Sequence, residues 1–246
     1  MTNISNIKQK IALPLVILST IILLVLGTWQ VYRLLWKLEL IHKIELRLTT
    51  NPEELKLEQV DINKDEYKLV LIYGHFLNNK EKYLYMGSVS PRGGQGYDLL
   101  TPFKTAQGKI ILVDMGWVPY GFKDQSKRNE SLSPIELKLV GMLHKSEKKA
   151  YFTPDNDSLK NMWFFIDVKS MLSDVQHDEK AEDFFVRLVK DPQNIKQDIY
   201  PIYGDKTVRY RNDHLEYAII WYSLALILVI MYVVFAKRKR KLGIKS

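Results

Sequence analysis

Chemistry in this chain has few places to reside. There is no cysteine, and the five histidines, at 42, 75, 144, 177 and 214, are scattered. No H-E-x-x-H pair, G-x-S-x-G elbow or Walker loop is present, so zinc hydrolysis, nucleophile-elbow catalysis and P-loop phosphate chemistry lack their residues. His214 stands apart. In "RNDHLEYAIIWY" (211–222) Tyr217 and Trp221 come after it at i+3 and i+7, so on a helix imidazole, phenol and indole share one stripe. Such a stripe offers one axial nitrogen and aromatic faces, which is what a planar apolar metal complex such as haem requires. The same pattern also serves an interfacial anchor, with Tyr and Trp at lipid headgroups and His214 hydrogen-bonded to a neighbour. The spacing leaves both readings open.

The element carrying His214 is set by the residues C-terminal to it. Ala218 to Ala236 is 19 residues without a charge, and Lys237 to Lys241 is an unbroken basic run; about 20 apolar residues cross a bilayer core. Asp213 and Glu216 form a capping-box-like pair at the helix start. A second apolar run, Ile11 to Leu26 extended by Gly27, Thr28 and Trp29, opens the chain. No A-x-A-like cleavage site lies after it, so it reads as a membrane span rather than a signal peptide. Beyond it, Trp29, Arg33, Trp36 and Leu40, and Gln30, Arg33 and Lys37, recur at helical spacing, so the helix is expected to continue past the bilayer. Trp29 and Trp36 suit the interfacial belt. Arg33 and Lys37 could pair with the propionates of a bound haem or with Asp213 and Glu216, or simply snorkel at the interface.

Charge orients the two spans. Two lysines in residues 1–10 and six Lys/Arg in residues 237–246, with no acid in either tail, account for the whole net charge of +8. Basic flanks mark the cytoplasmic side. The expected organisation is a cytoplasmic tail (1–10), a transmembrane helix (11–29), an external domain (30–216), a second transmembrane helix (217–236) and a basic cytoplasmic tail (237–246). Because the middle of the chain is formally neutral, a nucleic-acid partner is not expected. The absence of an Arg-rich leader favours a bacterial plasma membrane with a periplasmic domain over organelle import.

The external domain reads as β-rich. Runs at 67–73, 82–87, 96–103, 109–118 and 135–143 are bounded by Gly, Pro and Asn, which predicts an antiparallel sheet or partly closed barrel joined by hairpins. Gln107-Gly108 reads as a tight hairpin turn, Asp167 as the cap of a short helix at "VKSML", and "DFFVRLV" (183–189) as a further strand. Asn51-Pro52-Glu-Glu carries a weak helix-start signal. "PRGGQG" (91–96) leads into a strand rather than a helix, so it reads as a hairpin loop and not a phosphate cradle. The expected class is therefore an α+β membrane protein: two transmembrane helices flanking one mainly antiparallel β domain with a few short helices.

Several stretches together resemble the Surfeit locus protein 1 family of cytochrome c oxidase assembly factors. They are "LGTWQVYRLLWKLELI" (26–41), "GHF" (74–76), "LLTPF" (99–103), "ILVDMGWVP" (111–119), "FTPDNDSLKNMWFFID" (152–167) and "RNDHLEYAIIWY" (211–222). The resemblance covers nearly the whole chain and implies a non-enzymatic factor that aids maturation of the largest oxidase subunit, subunit I, alongside other assembly factors. It further implies transient haem a binding, with His214 as the axial iron ligand; Tyr217, Trp221, Arg33 and Trp29, placed near it by helix spacing and level, are then the candidate residues around that haem. A cofactor-free membrane scaffold for the same subunits is the alternative. A membrane sensor would need an output module, for which about ten residues beyond each helix are too few, and an enzyme would need a nucleophile–base constellation. The chain departs from the family at Asp114-Met115-Gly116-Trp117, where an Asn-Arg-Gly-Trp type segment is usual, so any role resting on that arginine is in doubt here.

Overall fold

A computed structural model describes residues 2–85, 95–128, 137–189, 200–202 and 212–241, with side chains from Ala12 to Arg238. The predicted "PRGGQG" loop and the ends of the 82–87 and 135–143 runs fall partly outside these residues, as does most of the basic tail. Two compact units divide at Lys43/Ile44: α1 (Thr2–Leu48), up to Lys43, joins α4 (His214–Lys241) in one, and the described residues from Ile44 to Ile202 form the other.

At 47 residues, α1 is about 70 Å long at 1.5 Å per residue, more than twice a bilayer core of roughly 30 Å. The predicted continuation beyond Trp29 is thus helical as far as Leu48. Both α1 and α4 are long and apolar enough to cross a membrane. Leu15, Val25, Leu226 and Met231 lie more than half exposed, which a helix buried in a water-soluble core would not permit and a lipid-facing one requires.

The β unit contains β1 (Glu53–Glu54), β2 (Leu69–Phe76), β3 (Lys82–Leu84), β4 (Gly96–Thr105), β5 (Ile110–Pro119), β6 (Leu137–Lys145) and β7 (Phe184–Leu188), with short helices α2 (Ile62–Asp65) and α3 (Val168–Met171). The sheet order is β1-β2-β6-β7-β5-β4-β3, and a further β2–β4 pairing closes β2, β6, β7, β5 and β4 into a ring. Pairing is mainly antiparallel; β5 with β7 and β1 with β2 are parallel. Glu53–Glu54 pairs with Val70–Leu71, so the helix start expected after Pro52 is instead a strand. Burial of Leu55 and Leu57 in the core outweighs that weak local signal.

Local chemistry explains the elements that formed as expected. Gly108, at φ +78°, supplies the left-handed residue of the β4–β5 hairpin, and its N–H donates to Thr105 O at 2.8 Å. Asp167 caps α3 by accepting from Ser170 N. Strands β4 and β5 are buried on both faces, which is why "DLLTPF" and "ILVDMGWV" are nearly continuous apolar runs. One core cluster joins Phe103, Ile111, Val113 and Phe185 to Trp163, Ile166, Val168 and Met171. The other holds Tyr97, Leu99, Met115 and Val118.

The Asp114-Met115-Gly116-Trp117 segment forms a β-bulge. Leu99 pairs with Gly116 and Leu100 with Asp114, so Met115 is the extra residue. Gly116 takes φ +107°, and Asp114 Oδ1 accepts from Gly116 N at 2.9 Å. The other Asp114 oxygen accepts from Arg187 Nε at 2.8 Å. Met115 lies buried in the second cluster, so its thioether is part of the apolar packing around the bulge.

Candidate functional site

Within the helical unit, α1 and α4 run antiparallel: Thr28 meets Tyr222 while Gln30 meets His214. Along α4 the least exposed side chains recur at His214, Ala218, Trp221, Ala225, Leu228 and Tyr232, a three-and-four spacing that defines one seam. On α1 the corresponding stripe is Leu23, Leu26, Gly27, Gln30 and Leu34. Small residues let the backbones approach: Ala218 and Ala225 are buried, and Gly27 leaves space for the Tyr222 ring. Thr28 Oγ1 donates to Leu24 O at 2.9 Å, so in the 3.0 Å bond between Thr28 and Tyr222 the tyrosine hydroxyl is the donor.

Where the seam reaches the N-terminus of α4, His214 Nδ1 lies 2.8 Å from Gln30 Oε1. An amide oxygen only accepts, so Nδ1 is the donor, and in the neutral ring Nε2 keeps its lone pair. No other group among the described residues hydrogen-bonds this imidazole. Asp213 stands immediately before the helix, and its carbonyl accepts from Tyr217 N at 3.2 Å.

The remaining expected site residues lie on the same two helices. Trp221 is on the seam, one helical face with His214, whereas Tyr217 is exposed on its flank. On α1, Trp29 and Arg33 are exposed one step off the seam. Thr28 and Tyr222 occupy one flank; because the helices are antiparallel, Tyr217, Trp29 and Arg33 border the opposite one. Arg33 does not pair with Asp213 or Glu216. Its guanidinium lies 4.7 Å from the Trp36 ring centroid, and no carboxylate among the described residues neutralises it.

Other histidines suit ligation less. His144 is largely buried, stacked on Phe185 and edge-on to Tyr67, and burial, reinforced by the Arg187 charge, lowers its pKa to about 3. His177 engages Val175 O and Glu182. Among the described residues no three His, Asp or Glu side chains gather where they could hold a bare metal ion. The arrangement at His214 therefore suits a complex that brings its own equatorial ligands and needs one nitrogen.

Sequence reasoning placed Gln30 on a helical stripe but gave it no role, and it assigned no helix-packing role to Gly27, Thr28 or Tyr222. An amide at the edge of an apolar helix becomes meaningful only through its pairing across to α4; a Gly-Thr step inside an apolar run was the available signal for close packing.

Comparison with known proteins identifies the family. The SURF1 family model matches residues 17–226. A SURF1-like protein of Rickettsia felis is 33% identical over 225 residues, covering 90% of this chain and 95% of the relative. A SURF1-like protein of Drosophila melanogaster is 34% identical over 215 residues, covering 81% and 69%. Surfeit locus protein 1 of Gallus gallus is 31% identical over 215 residues, covering 81% and 67%.

Proposed function

Because the chain belongs to the SURF1 family, we propose that it is a membrane-anchored, non-enzymatic assembly factor for a haem–copper cytochrome c oxidase that presents haem a to subunit I. The observation that carries the cofactor part is the His214–Gln30 pair, which leaves Nε2 as a free ligand on one aromatic-flanked helix face. In this reading His214 holds the iron, Arg33 pairs with a propionate, and Trp29, Tyr217 and Trp221 offer apolar ring surface. When bound, haem a supplies the redox iron that the recipient subunit lacks. A single imidazole ligand would suit hand-over, since no closed coordination shell would have to be dismantled. Gln30 holds the ring in the ligating tautomer.

The chain would sit in a bacterial plasma membrane, with helices spanning near 11–29 and 217–236, both basic tails in the cytoplasm and the β unit in the periplasm. Charge in the tails supports this orientation.

The test is an absorption spectrum of the detergent-purified protein from cells that make haem a, beside His214→Ala. Haem a in the parent and none in the variant is expected; a parent without haem a would remove cofactor handling. The close-packed seam at Gly27, Ala218 and Ala225 joins α1 to α4 without His214, and this favours a second reading, a cofactor-free scaffold for oxidase subunits. Under that reading oxidase yield in vivo survives His214→Ala. An oxidase fully assembled in a deletion strain would sink both.

A further inference from the structure

In the loop from Glu147 to Met162, three polar side chains, Glu147, Asn156 and Asn161, fasten the loop to its neighbours. Asn156 Oδ1 accepts from Phe164 N at 2.8 Å and its amide donates to Phe165 O at 3.2 Å. Glu147 Oε2 accepts from Ile166 N at 2.9 Å. Asp157 and Met162 exchange backbone bonds of 2.8 and 3.0 Å. Asn161, at φ +52°, donates to Glu81 O and accepts from Trp163 Nε1, both at 2.7 Å.

Apolar side chains point the other way. Tyr151 is 92% exposed, Phe152 91% and Leu159 98%, on two turns of this one fastened loop. The Tyr151 and Phe152 rings pack edge-on at 4.9 Å, so they project as a pair. Lone exposed apolar residues are ordinary, but two adjacent aromatics held out by a rigid base form a contact surface.

Composition selects the occupant. Lys148 and Lys149 precede the aromatics and Lys160 comes directly after Leu159; Lys149 and Lys160 pair with Asp155 and Asp157, while Lys148 has no acidic partner among the described residues. Protein interfaces are depleted in lysine at their cores, whereas bilayer interfaces collect Tyr, Phe and Leu beside snorkelling lysines. The chain carries its own membrane-length helices, so a bilayer is at hand. We propose that this loop is a separate, interfacial membrane contact: Tyr151, Phe152 and Leu159 seat in the headgroup region of a phospholipid bilayer, with Lys148 at the phosphates. The contact is independent of any cofactor at His214.

The absence of cysteine makes site-specific spin labelling direct. Full-length Phe152→Cys, Leu159→Cys and, as control, Ala106→Cys in the exposed β4–β5 turn would be labelled with nitroxide and reconstituted in phosphatidylcholine–phosphatidylglycerol vesicles. Positions 152 and 159 should show a several-fold higher ratio of oxygen to nickel-chelate accessibility than position 106. Equal access of the nickel chelate at all three positions would overturn the proposal. Protection from both reagents at 152 and 159 would overturn it too, in favour of a protein contact. Circular dichroism and unchanged melting of each labelled protein would establish that the comparison is made on folded chains.

Discussion

Gln30 and His214, 184 positions apart in sequence, meet at 2.8 Å across the α1–α4 seam. That bond decides which imidazole nitrogen is free. Gln30→Leu removes the acceptor and lets the ring turn and change tautomer; Gln30→Glu keeps an acceptor and strengthens it. Loss of an orienting partner typically costs a metal ligand about 10–100-fold in affinity. Haem a retention, read from the Soret band of purified protein, should fall in Gln30→Leu and persist in Gln30→Glu. Equal retention in the parent and Gln30→Leu would separate the pair from cofactor binding.

Close packing at Gly27 makes a second expectation. A Cβ there would lie 2.9 Å from Tyr222 Cε1, so Gly27→Val must swing the ring away and break its bond to Thr28. Overpacking of this kind costs about 1–3 kcal/mol. Tyr222→Phe removes the hydrogen bond alone, about 0.6 kcal/mol within a membrane. Thermal melting in detergent, monitored by helical circular dichroism, should rank the parent above Tyr222→Phe and both above Gly27→Val.

His144 gives the β unit an acid-sensitive component. An unfolded histidine titrates near 6.5, while burial holds His144 at about 3 in the fold. Between these values the unfolded chain binds more protons, so stability rises with pH across the window. The contribution is whole above about pH 6.5 and is lost as the pH falls toward about 3. His144→Phe keeps a ring against Phe185 and removes an Nε2 that is buried without a partner. The parent's urea midpoint should drop between about pH 7 and about pH 5, and the variant's should drop less. Parallel pH profiles would show that His144 is hydrated in the fold.

How far the sequence could be read depended on whether the governing interaction was local. Charge-free runs and basic flanks announced α1 and α4, and Gly108 and Asp167 announced a turn and a cap, because each acts within a few residues. The parallel β5–β7 pairing and the closure of β2 on β4 join segments far apart, and periodicity carries no such information. The site behaves the same way. His214, Tyr217 and Trp221 were legible on one helix, but Gln30 gains its meaning only from α4, and Arg33 chose the neighbouring Trp36 over the distant acids. Met115 was legible as a departure; its burial beside Tyr97, Leu99 and Val118 was not.

The Glu81–Arg128 pair supplies the last expectation. Both side chains are almost wholly buried, with Arg128 Nη2 2.5 Å from Glu81 Oε2. The same oxygen accepts from the Tyr83 hydroxyl at 2.9 Å, and burial, together with the Glu81 charge, pushes the Tyr83 pKa up to about 12. Removing one partner strands a charge where water cannot reach it, which costs about 3–5 kcal/mol. Replacing both by apolar side chains of similar size avoids that penalty. Arg128→Met should therefore lower the urea midpoint of the β unit sharply, and Glu81→Met/Arg128→Met should recover part of the loss. Tryptophan fluorescence can report this, because the nearby Trp163 indole is held by Asn161, whose amide also binds Glu81 O. A double variant at least as unstable as the single one would mean that the network around Glu81, rather than ion pairing with Arg128, carries the stability.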